Sequence, residues 1–182
     1  MEIATKGQLR WAFLRWAMVT VPAIILLGFV SAKFTREEDW RWYAKLAKPA
    51  LNPPGWVFPI AWTALYVMMG LALAMILNAR GSRYRGLAIA LFAVQMVLNL
   101  VWTPVFFGAH LVFAALLILV AMFVVALVTT LIFGRIRTAA AWLMVPYLAW
   151  LCFAAALNQD IRKLNPNAER LAPGRTSTHI NL

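Results

Sequence analysis

Charge is scarce in this chain. Only 13% of its side chains are Asp, Glu, Lys or Arg, against roughly a quarter in soluble domains. From Gly86 to Gly134 there is no formal charge across 49 residues. With 64% hydrophobic residues beside that deficit, the chain falls in the membrane class. Acidic residues are the rarest charged group, six against seventeen Lys and Arg, for a net charge of +11. Such a balance raises nucleic acid as a partner. The basic residues, however, sit in short clusters between apolar runs and form neither a patch nor a stripe along one helix face. The expectation is no nucleic acid, and basic loops beside anionic lipid headgroups.

Cysteine is limited to Cys152, which excludes an intrachain disulfide and reads as a small packed hydrophobe in its apolar run. The two histidines, His110 and His179, are too far apart for a metal-ligand spacing, so no metal site is expected.

What is present is a series of apolar runs long enough to cross a bilayer, each needing about 20 residues. The reading gives five spans at about 11–32, 56–77, 86–107, 110–133 and 138–159, with a polar tail at 160–182. The uncharged stretch after Gly86 is about twice the length of one span at about 1.5 Å rise per residue, and Pro104 and Gly108-Ala109-His110 mark the turn within it. Lys6, Arg10 and Arg15 ahead of the apolar stretch from Ala17 to Phe29, with Val30-Ser31-Ala32 behind it, also fit a secretory signal. With Trp11 to Arg15 included the run is long enough to span. The fold class is therefore an all-α membrane protein, a single domain built as a five-transmembrane-helix bundle. Lys and Arg number nine on the side of the first loop and the tail, and eight on the other. That gives no orientation by the positive-inside rule.

The first loop, 33–55, holds five basic and three acidic residues between Lys33 and Lys48, then Pro49, Pro53 and Pro54. Proline lacks an amide donor and fixes φ, so residues 49–54 are not helix interior. Asn52-Pro53-Pro54-Gly55 reads as a turn with a helix start behind it. Trp42, Tyr43, Trp56 and Phe58 flank the turn, making a short, stiff, aromatic lid.

Polar groups at membrane depth need partners. Trp62 and Tyr66 share one face of the second span. Gln95, Asn99 and Trp102 share one face of the third, and Tyr147, Trp150, Ala154 and Asn158 one face of the fifth. Each face joins aromatic rings to hydrogen-bonding groups. Taken singly these residues fit interhelical bonds or interfacial belts. Together they describe a pocket for a flat, mostly apolar ligand.

Three blocks carry a resemblance: W-Y-x-x-L-x-K-P-x-x-x-P-P-x-W from Trp42 to Trp56; Gln95, Asn99 and Trp102 followed by Pro104 and Phe106-Phe107-Gly108; and Pro146-Tyr147-Leu148-x-Trp150 with Leu157-Asn158. In order and spacing they resemble the tryptophan-rich sensory protein (TspO/MBR) family, which includes mitochondrial translocator proteins, the peripheral benzodiazepine receptors. The resemblance implies a five-helix bundle in a bacterial membrane, commonly a homodimer. It also implies a sensor or regulator that binds protoporphyrin IX or a related tetrapyrrole between its helices and under the first loop, with no obligatory cofactor. The implied ligand-binding residues are Trp42, Tyr43, Pro53, Pro54, Trp56, Trp62, Tyr66, Gln95, Asn99, Trp102, Tyr147, Trp150 and Ala154. Trp62 and Trp150 match the pocket tryptophans proposed, in some bacterial members, to support light- and oxygen-dependent porphyrin breakdown. Catalysis of that kind and transport of porphyrin or sterol are the alternatives.

A haem protein would want an axial His or thiolate, so a metal-free tetrapyrrole suits these spans better. Lys45 and Lys48 are near enough in sequence to meet its propionates. Two departures stand out. Leu51 occupies a position where the family often has Trp. The animal-type cholesterol pattern fails because no Lys or Arg lies within 149–153; only the reversed pattern occurs, at 41–46. A sterol is thus a weaker candidate partner than a porphyrin.

Overall fold

A computed structural model describes residues 6–171. The helices are α1 (Lys6–Ala32), α2 (Glu37–Lys45), α3 (Val57–Asn78), α4 (Arg85–Thr103), α5 (Val112–Ile136) and α6 (Thr138–Leu164). A π-helical turn, Pro104–Gly108, extends α4, and a 3₁₀ turn, Ala168–Leu171, follows α6. No strand occurs among the described residues. The polar tail beyond residue 171, with the frayed end expected of it, lies outside them.

Five helices are long and apolar enough to cross a bilayer: α1, α3, α4 with its π turn, α5 and α6. Their outward faces carry large apolar side chains in the open, among them Leu26, Ile60, Val97, Leu131 and Trp142. In water such a surface would be a liability; in lipid it is the expected outer face. Helix α1 packs on α3, α3 on α6, α6 on α5 and α5 on α4, while α4 also meets α1 and α3, so the five spans close into a ring. The interior is filled by Met69, Ala72, Met122, Ala126, Met144, Tyr147 and Leu151, all fully buried.

Helix α1 is tied in by polar and steric fits. Thr20 Oγ1 donates to Gly70 O at 2.8 Å, and Ser31 Oγ donates to Leu100 O at 2.7 Å. A Cβ on Gly70 would stand 2.7 Å from Val21 Cα, so glycine is what lets α1 and α3 approach backbone to backbone. A Cβ on Gly28 would overlap the Tyr66 ring.

The first loop differs from its expected form. Residues 37–45 are helical because Glu37, Glu38 and Asp39 occupy the first turn and Lys45 the last, each complementing the helix dipole. The Arg36 amide donates to Asp39 Oδ2 at 2.7 Å, and Glu37 and Arg41 pair one turn apart. Non-helical chain follows, with the Asn52 amide closing a turn onto Pro49 O at 2.9 Å. At the far end of α4, Pro104 cannot donate an amide, and the chain widens to a π turn closed by Ala109 N to Pro104 O at 2.8 Å. The third span thus runs to Gly108. Cys152, expected to pack inside, is exposed on the outward face of α6.

Candidate functional site

The three interior faces meet where α3, α4 and α6 converge. Tyr66 Oη donates to Asn99 Oδ1 at 2.9 Å, and Asn99 Nδ2 donates to Tyr147 Oη at 3.3 Å. Tyr147 Oη donates to the Met122 sulfur at 3.0 Å. One buried amide therefore links three spans, and a methionine brings in the fourth. The aromatic rings stack around this network. Trp62 lies 5.3 Å from Tyr66, 6.5 Å from Tyr147 and 6.2 Å from Trp150, centroid to centroid. Trp150 continues the line to Phe58 at 6.0 Å and Phe153 at 5.6 Å. The Trp62–Trp150 pair is edge-to-face, a favourable arrangement of ring quadrupoles. Trp62, Trp150 and Ala154 are half-buried, so this side of the cluster reaches the bundle surface. An open groove of about 500 Å³ runs there, bounded by Ala61, Leu65, Pro146, Trp150 and Phe153.

Several polar atoms in this region have no hydrogen-bond partner among the described residues. They are both side-chain polar atoms of Gln95 and of Asn158, and the indole Nε1 of Trp102 and of Trp150. Leaving a buried donor unpaired typically costs about 1–3 kcal/mol. Gln95 is fully buried one turn along α4 from Asn99, yet its amide joins no bond.

Trp42 and Tyr43 belong to a second cluster, built where α2 rests on the π turn. Trp42 is 1% exposed and donates its indole N–H to Ala168 O at 2.9 Å. Its ring meets Phe106 at 5.7 Å and His110 at 4.5 Å. Tyr43 packs on Phe107 at 5.5 Å, and its hydroxyl donates to Asn52 Oδ1 at 3.2 Å. Burial pushes the Tyr43 phenol above its ordinary pKa, partly opposed by that hydrogen bond. Trp102 stacks on Phe106 at 5.0 Å and touches both clusters. Lys48 is spent locally, lying 4.8 Å over the Tyr43 ring. The reversed sterol pattern at 41–46 falls on this helix, with its Trp42 turned inward.

The structure thus brings Trp62, Tyr66, Asn99, Tyr147 and Trp150 into one assembly, with Gln95 and Ala154 beside it. Trp42 and Tyr43 stand in the neighbouring cluster, joined through Trp102. Pro53 is half-buried, while Pro54 and Trp56 are exposed, Trp56 at 68%. Leu51, in the position of the missing ring, is also exposed. Met122 escaped sequence reasoning, since a methionine in an apolar run carries no signal. So did the pairing of Asp39 Oδ1 with His110 Nε2 at 3.2 Å, both side chains buried; the nearby Arg36 already accounts for Asp39 in sequence, and nothing there points to a partner 71 positions away. Among the described residues no group of three His, Cys, Asp or Glu could hold a metal ion.

The profile of the TspO/MBR family matches residues 18–164. The chain is 40% identical over 143 residues to the tryptophan-rich protein TspO of Chlorobaculum tepidum, covering 78% of this chain and 90% of that one. It is 43% identical to the tryptophan-rich sensory protein of Cereibacter sphaeroides over 69% of this chain and 78% of that one. With the translocator protein of Bos taurus it shares 40% identity over 72% and 79% of the respective chains. The ring of five spans and the aromatic assembly at the α3–α4–α6 junction are thus those of a multi-pass integral membrane protein that belongs to the TspO/MBR family.

Proposed function

We propose that this protein binds a metal-free tetrapyrrole of the protoporphyrin type and acts as a membrane sensor or regulator. The observation that carries the reading is the ring assembly of Trp62, Tyr66, Tyr147 and Trp150 around the Asn99 amide. A macrocycle is flat and largely apolar, so stacked rings supply its contact surface, and a few polar groups fix its orientation. The unpaired Nε1 of Trp150 and the side-chain amide of Asn158 offer donors that an unprotonated ring nitrogen of the macrocycle or a propionate would satisfy. Entry on the Trp62–Trp150 side requires those two half-buried rings to part. A homodimer, and a sterol as a second ligand, belong to the same proposal at lower rank; the inward-turned Trp42 weighs against the sterol at 41–46.

Titration of protoporphyrin into the purified protein tests the reading. Binding should shift the Soret band and quench tryptophan fluorescence in the micromolar range. Each aromatic contact is worth about 0.5–1.5 kcal/mol, so the double variant Trp62→Ala/Trp150→Ala should weaken binding by roughly tenfold. An unchanged Soret band and unchanged fluorescence at tens of micromolar, on the order of 6–7 kcal/mol of binding, removes the proposal.

The 6.2 Å approach of Trp62 to Trp150 favours a second reading, oxidation of bound porphyrin by dioxygen under light. The pigment would absorb the light, and the protein would supply confinement and indole partners. Trp62→Phe/Trp150→Phe, which keeps the ring packing, should then slow light-dependent bleaching. An unchanged bleaching rate rejects it.

A further inference from the structure

The two ends of the bundle differ in a way the Lys and Arg tally conceals. Every described carboxylate lies at one end: Glu37, Glu38 and Asp39 on α2, Asp160 on α6, and Glu169 in the 3₁₀ turn. The other end carries Arg10, Arg15, Arg80, Arg83, Arg85, Arg135 and Arg137 with no described acidic residue among them. Within it Arg83 and Arg135 each stand 5.9 Å from the Tyr84 ring, and Arg85 donates to Leu77 O at 3.1 Å. Among the described residues Arg15 and Arg80 have no such partner. They line one groove of about 310 Å³ with Ala12, Trp16 and Val19, between α1 and the loop joining α3 to α4.

We propose that this groove binds the phosphate headgroup of an anionic phospholipid. Two guanidiniums facing one concavity with no described carboxylate beside them repel each other unless an anion lies between. Guanidinium forks match phosphate oxygens in bidentate geometry. The site is at the level where a headgroup sits, since Arg10 opens the spanning part of α1 and Asn78 closes that of α3. Trp16 is half-buried beside it, as an interfacial indole should be. Below the groove the outward face of α1 offers Met18 and Val19, 64% and 60% exposed, as a track for an acyl chain. Apolar track and paired cations together select a lipid over a free anion.

Native mass spectrometry of the full chain, released from detergent with dioleoyl phosphatidylglycerol or dioleoyl phosphatidylcholine, tests the assignment. Each basic residue near an anionic headgroup is worth about fivefold in affinity, so phosphatidylglycerol should be retained about tenfold or more over phosphatidylcholine. Arg15→Gln/Arg80→Gln should bring the two lipids to within about twofold, while Arg135→Gln/Arg137→Gln, removing equal charge from the same face, should preserve most of the preference. Arg15 and Arg80 are exposed, so the single variants provide the same comparison should the double variant fail to fold. Equal retention of both lipids by the unaltered protein overturns the proposal. So does equal loss in the two double variants, which would mean a diffuse charge effect. Displacement of phosphatidylglycerol by an equal concentration of inorganic phosphate overturns the lipid assignment as well.

Discussion

Asn99 and Gln95 are two carboxamides on one face of α4, both buried and one turn apart, yet their energetic roles differ. Asn99 uses its oxygen toward Tyr66 and its nitrogen toward Tyr147, whereas the Gln95 amide meets no protein partner. Interhelical hydrogen bonds within membranes average about 0.6 kcal/mol. Asn99→Leu, which at similar volume removes the bonds to both tyrosines and the longer one from Nδ2 to the Met122 sulfur, should therefore destabilise the bundle by about 1–2 kcal/mol. Gln95→Leu removes only an unpaired polar group and should be neutral or stabilising. Thermal unfolding in a fixed detergent compares the two directly. A Gln95→Leu loss as large as that of Asn99→Leu would mean that Gln95 is paired in the membrane. Residue spacing alone could not separate these two positions, because i, i+4 geometry says which side chains share a face and nothing about what stands opposite.

Among the elements, the spans were the legible part of the fold. Their lengths and apolar content follow from the bilayer, and proline and glycine mark the break at 104–108. The boundaries moved for local reasons, with α4 running on through the π turn to Gly108 and α6 extending to Leu164. Helix α2 looks like loop in the sequence because five of its nine residues are charged. Its helicity rests on the acidic first turn, on the Arg36–Asp39 cap, and on docking against a segment more than a hundred residues away. That docking has a testable anchor. Asn165 Oδ1 accepts from the Ala47 amide at 2.8 Å, and its Nδ2 donates back to Ala47 O at 2.8 Å. Asn165→Ala should leave the spans intact while speeding hydrogen exchange at Ala47 and across α2, by roughly fivefold or more if about 1 kcal/mol per bond is lost. Unchanged exchange at Ala47 would show that the contacts of Asp39, Trp42 and Tyr43 suffice to hold the segment. The α1–α3 contact gives the opposite kind of test. Gly70→Ala places a methyl 2.7 Å from the Val21 backbone, which cannot yield as a side chain can. The expected cost is about 1–3 kcal/mol, read as a lowered unfolding temperature. A loss at least as large is expected at Gly28, where a Cβ would overlap the Tyr66 ring, itself held by Asn99 and Trp62.

At the scale of the whole molecule, the five spans close a ring whose interior is already occupied by interlocking side chains. A ligand therefore has to take the place of packed rings, and the half-buried Trp62 and Trp150 are the ones that can yield to it. The candidate site was legible as three faces because helical periodicity places those residues inward. What periodicity could not supply was their division into two clusters. Trp42 and Tyr43 pack with Phe106 and Phe107 in a clasp closed by the chain after α6, while Trp62, Tyr66, Tyr147 and Trp150 surround Asn99. The lid residues accordingly hold the end of the bundle, and the proposed ligand contacts fall on the helices. A structure of the protein bound to protoporphyrin tests this most directly. Macrocycle density is expected between Trp62, Asn99 and Trp150, with those two indoles displaced and Trp42 still bonded to Ala168. Density confined to the outer surface of the bundle, with the Trp62–Trp150 contact intact, would contradict it.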